Sequence, residues 1–138
     1  MPGGENWPLT GHSDGIVKAA RERVAEAIAE LDKIPMLDDE HIAVPWPFMK
    51  RPKLDPEVWA ASDIKDVTIS DLYASQHKLR KNAVEQYIRT QGAPEAGHRA
   101  LANVYAIDGH NVIVDGHHRL AALWLLGADV ANVWFLEE

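Results

Sequence analysis

The sequence predicts a small α+β domain, and three observations carry the prediction. Residues 13–33 show an apolar stripe at helical spacing. Asp108-Gly109 separates two short apolar runs, a strong hairpin signal. Beyond them the run VIVDGHHRLAALWLLG hands a strand directly to a helix.

Taken in order, residues 1–12 hold Pro2, Gly3, Gly4, Pro8 and Gly11 and read as a loose arm. From Ser13 to about Lys33, residues Ile16, Val17, Ala20, Val24, Ala27, Ile28 and Leu31 recur every three or four positions. That spacing predicts an amphipathic helix, with Ser13 or Asp14 as N-cap and Pro35 after its end. Arg21, Glu22, Glu26 and Glu30 form its solvated face. Residues 34–56 contain five prolines, which argues for an extended surface connector without regular structure. Trp46 and Phe48 within it are expected to cover the core, the alternative being a docking stripe.

IKDVTIS alternates as a strand does, and DLYASQHKLRK reads as a polar connector. Asn82 is expected to cap the next helix, with Glu85 at the capping-box position and Gly92 at the end. ALANVYAI and NVIV form the hairpin. Gly116 to about Leu126 is a helix ended by Gly127, and VANVWFL is the last strand. The divisions expected are 1–62, an arm, helix and Pro-rich connector, and 63–138, the α+β domain proper.

Composition narrows the chemistry. At 138 residues, 46% hydrophobic and 25% charged, the chain has the makeup of an ordinary soluble domain. It has no apolar run near the roughly 18 residues of a membrane span and no secretory leader pattern, so a cytoplasmic location is expected. The absence of cysteine removes thiol catalysis and thiolate metal sites. Fourteen basic against 21 acidic residues give a net charge of −7, which disfavours a large duplex footprint. No membrane partner is expected.

The seam Asp115-Gly116-His117-His118-Arg119 is the candidate site. Glycine lets the backbone turn and approach a ligand. The first helical turn offers free N–H groups and the positive end of the helix dipole, a ready anion site. Three readings stay open from the residues alone. One is a structural cap by Asp115, another a phosphate or phosphoanhydride site. The third is a His-based transition-metal site built from His110, Asp115, His117 and His118, which lacks any recognised zinc spacing.

The pattern strand–DGHHR–LAAL–LLG–strand, preceded by DL-x-x-SQHK, resembles the ParB/sulfiredoxin-like fold family over residues 64–138. The resemblance implies a mixed sheet with packed helices and a nucleotide-phosphate pocket at the start of the DGHHR helix. Gly116 and Arg119 match the family's Gly-x-x-Arg signature, and Gln76 matches its Gln-x-Arg loop, where Lys78 replaces arginine. His77, Lys78, Arg80 and Lys81 would face His117, His118 and Arg119 across one cleft. The DGH start is most similar to the free-serine-kinase branch and to phage or plasmid ParB-like proteins. Sulfiredoxin chemistry is excluded, because His117 stands in place of its cysteine. The resemblance runs to the chain's end, so the DNA-reading helix-turn-helix of partition proteins is not expected.

The function implied is Mg²⁺-dependent phosphoryl chemistry, either hydrolysis or transfer, on a nucleoside di- or triphosphate (ATP, ADP or CTP). Asp115 would serve as base or metal-water ligand, and His117 or His118 would donate to a phosphate oxygen. Gly116, Arg119, Gln76, His77, Lys78 and Arg80 would bind phosphate. A ParB-like nuclease or DNA-associated protein is the alternative, and a non-catalytic interaction module the second alternative.

Overall fold

The computed structural model describes residues 14–93 and 102–138. The expected arm, the Ser13 cap and most of the Gly/Pro loop at 92–98 lie outside the described residues. The architecture is mixed α+β. Helix α1 (Asp14–Lys33) precedes strands β1 (His41–Ala43), β2 (Asp63–Thr68), β3 (Leu72–Tyr73) and β4 (Lys78–Arg80). Helix α2 (Lys81–Gln91) leads to the hairpin β5 (Asn103–Ile107) and β6 (His110–Asp115), then α3 (His117–Leu125) and β7 (Val130–Glu137).

Five strands form a mixed sheet in the order β2-β7-β5-β6-β3, while β1 and β4 make a separate antiparallel pair. β2/β7 and β5/β6 run antiparallel, β5/β7 and β3/β6 parallel. The hairpin turn is of the expected kind: Asp108 and Gly109 have φ of 53° and 77°, the double positive φ that suits strand twist. The β5/β6 register slips between Asn103 and Val104, so Asp115 faces Asn103 while Ile113 faces Val104. A bulge there bends the end of β6 just before the seam.

One core spans residue 62. Ala27 and Leu31 of α1, Ile42 of β1 and Trp46 join Val84, Ile88, Leu120 and Ala121 of the later helices and Val104, Ile113 and Val133 of the sheet. Arg21, Glu22, Glu26 and Glu30 are exposed, as the stripe predicts. Trp46 covers the core and donates its indole N–H to the Ile69 carbonyl at 2.8 Å.

Three local expectations are corrected. The Pro-rich stretch carries β1, paired to β4, and Phe48 bridges to Ala74, so it is built into the domain rather than lying on it. The connector 71–81 holds β3 and β4. Asn82 does not cap α2. That helix begins at Lys81, directly after β4, and the Lys81 N–H donates to the Glu40 carbonyl at 3.0 Å. The neighbouring chain satisfies the helix end, so no side-chain cap forms there; Glu85 pairs instead with Arg89 at 3.3 Å.

Candidate functional site

The seam folds as it does because of Gly116. Its φ of 100° is open to glycine and strained for other residues, and it turns the end of β6 into the first turn of α3. The N-cap position is Gly116 and carries no side-chain cap hydrogen bond. Asp115 is the exposed last residue of β6, so the reading of it as the α3 cap is not met. The Leu120 N–H returns to the Gly116 carbonyl at 3.0 Å, which closes the first turn. The N–H groups of His117 and His118 precede that bond and have no carbonyl one turn back within the helix.

Two consecutive histidines tie the 75–80 loop to this turn. His117, only 2% exposed, accepts the Ser75 backbone N–H on Nε2 at 3.0 Å. His118 accepts the Arg80 backbone N–H on Nε2, also at 3.0 Å. A backbone amide only donates, so both Nε2 atoms are unprotonated and each neutral ring carries its proton on Nδ1. Burial, then the charges of Arg51 and His118, hold the His117 pKa down at about 4, with Asp115 opposing. Burial first, then Arg80 and His41, lower that of His118.

The loop between those anchors is internally braced. Ser75 Oγ donates to the Ile113 carbonyl at 2.6 Å and accepts from Arg51 Nε at 3.3 Å. Gln76 donates its side-chain amide to the Lys78 carbonyl at 2.8 Å, a turn-shaping role. The His77 ring stacks on Phe48, and Lys78 pairs with Asp38 at 3.1 Å. Asp38 also accepts from the backbone N–H groups of Glu40 and His41 and from His41 Nδ1. These bonds, led by that of Glu40, hold its carboxyl far below the usual carboxylate range.

Of the expected site residues, the structure brings Gly116, His117 and His118 together with the loop of Gln76, His77, Lys78 and Arg80. The Arg119 guanidinium sits 5.3 Å above the Tyr87 ring on α2, and its carbonyl accepts from Gln91 at 2.9 Å. Lys81 turns away to Asp32 on α1 at 3.0 Å. Sequence reasoning missed Ser75, Arg51 and Asp38. Ser75 lies inside the ASQHK motif, whereas Arg51 carries no local signal and reaches the site only through the fold.

Among the described residues, no group of three or more His, Asp or Glu side chains is placed to hold a metal ion. No described helix is long and apolar enough to cross a membrane. The comparisons find no match for this chain among family models, curated proteins or solved structures.

Proposed function

We propose that this protein binds the phosphates of a nucleoside di- or triphosphate at the start of α3, in a ParB/sulfiredoxin-like site, and performs phosphoryl hydrolysis or transfer. The observation that carries the reading is Gly116 at φ 100°, which opens a helix N-terminus without a side-chain cap beside a loop bearing Lys78 and Arg80. Cations gathered in a net acidic chain focus attraction on a small anion rather than a long duplex.

Each residue has a part. The amides of His117 and His118 donate to phosphate oxygens, and the glycine at the cap lets those oxygens approach the backbone. Arg51 and Arg80 add charge that stabilises a phosphoryl group as its charge spreads in the transition state. The neutral histidines hold the loop at the correct distance, each with an Nδ1–H left as its donor. Asp115, exposed at the end of β6, accepts a proton from the attacking hydroxyl or water.

A lone carboxylate fits a magnesium ion that already carries phosphate oxygens and waters, the usual mode for this ion. Asp115 would then be its protein ligand instead of the base, and bound Mg²⁺ would supply neutralisation of phosphate charge.

Calorimetric titration of ATP, ADP and CTP with Mg²⁺ tests this, on wild type and on Arg80→Ala. Micromolar binding that the folded variant loses is the expected result. Absence of heat with every nucleotide would overturn the reading.

The nuclease reading draws on one feature. An open depression of about 420 Å³, lined by Arg51, Pro52, Lys53, Leu54 and Asp55, continues from Arg51 and offers a second cation, Lys53, to a further phosphate. Affinity for single-stranded ends that falls steeply with salt would favour it.

A further inference from the structure

Phe48 stands in the open beside the loop that the histidines hold. It is 47% exposed, and its ring lies on that of His77 with centroids 4.0 Å apart and planes 18° from parallel. The backbone around it is fixed on both sides: Ala74 N–H donates to the Pro47 carbonyl at 2.8 Å, and Met49 N–H donates to the Ala74 carbonyl at 2.7 Å. An isolated exposed aromatic needs no explanation. This one is different, since a bridge to Ala74 sets its backbone and its ring already stacks on His77 while nearly half of the residue stays exposed.

Three residues further on, Arg51 Nε donates to Ser75 Oγ at 3.3 Å, and the Ser75 N–H is the group held by His117. Arg51 is thus two contacts from the first residue of α3. His77 is two residues from Ser75, so their Cα atoms are at most about 7 Å apart. A cation and an aromatic platform from one short segment therefore flank the same helix start. A phosphate alone has no use for the platform; a ligand that carries both a phosphate and an aromatic ring uses both.

We infer that the segment Phe48–Arg51 is the second wall of the site, in which Phe48 stacks the nucleobase and Arg51 contacts a phosphate oxygen. This rests on the phosphate reading above and adds to it the residues that would hold the nucleotide by its base as well as its phosphates.

The experiment compares Mg²⁺-tripolyphosphate with Mg²⁺ complexes of ATP, GTP, CTP and UTP by calorimetry. At least one nucleotide should bind wild type about tenfold or more tighter than tripolyphosphate, the scale of one stacked base. Phe48→Leu should erase that advantage and leave tripolyphosphate affinity unchanged, Phe48→Tyr should keep it, and Arg51→Gln should weaken both ligand types about tenfold. Equal affinities for tripolyphosphate and all four nucleotides on wild type would overturn the base wall while the phosphate site stood, whatever the variants did. An unaltered Arg51→Gln would remove the arginine from the wall. Binding of neither ligand type would overturn both readings together.

Discussion

His117 Nε2 and the Ser75 backbone N–H, 42 positions apart in sequence, meet at 3.0 Å. His118 and the Arg80 N–H repeat the arrangement one residue later. Two adjacent side chains on α3 thus fix the two ends of a six-residue loop, and they do so only as neutral rings. Local order at the seam, the protonation of the histidines and the shape of the candidate site are one feature.

Replacing His117 with Phe keeps bulk and removes the acceptor. The Ser75 N–H is then unpaired in a part-buried position, and the variant should lose about 2–4 kcal/mol of stability. The urea midpoint measures this. A loss below about 0.5 kcal/mol would show that the bond does not hold the loop.

The pH dependence follows from the same ring. With its pKa lowered from 6.5 to about 4, folded His117 stays neutral where the unfolded chain binds a proton. Its contribution is present above pH 6.5 and lost as pH falls toward 4, because the unfolded state holds more protons in that window. His118 is shifted the same way and adds to the slope. Chemical denaturation between pH 7 and 4 should show stability falling by about 3 kcal/mol through His117 alone, and His117→Phe should flatten the curve.

Gly116 and Gly127 both have positive φ, 100° and 93°. Alanine at either should cost about 1–2 kcal/mol through backbone strain. Only Gly116→Ala should also weaken nucleotide binding, since Gly127 lies past the far end of α3. Paired melts and titrations separate the two effects; equal effects on binding would detach the site from the seam.

Trp46→Phe deletes the indole donor to the Ile69 carbonyl and keeps the aromatic bulk in the core. The loss should be about 1–2 kcal/mol, read from the urea midpoint with an unchanged m-value. A neutral result would mean that the Pro-rich segment is held by apolar contact alone.

The parts of this fold that were legible in the sequence carry local signals. α1 shows its stripe, the hairpin its Asp-Gly, α3 its terminal glycines, and β7 its apolar run VANVWFL after Gly127. β1, β3 and β4 are two or three residues long, too short for a period, and β1 sits among prolines. Asn82 misled because the Glu40 carbonyl, distant in sequence, does the work a cap would do. At the site, Gly116, His117 and His118 stood out as a polar break between apolar runs. The use of their ring nitrogens did not, because their partners are backbone amides whose placement only the fold decides. Arg51 arrives at Ser75 from 24 positions away.

A phosphate bound at the start of α3 would be reported by the chemical shifts of the backbone amides there. In a ¹⁵N–¹H titration with Mg²⁺-ATP, the largest saturable shifts should fall on Gly116, His117 and His118, with smaller ones at Ser75 and Arg80. Saturable shifts centred elsewhere, or none at millimolar nucleotide, would mean that the seam is a structural joint and not a phosphate site.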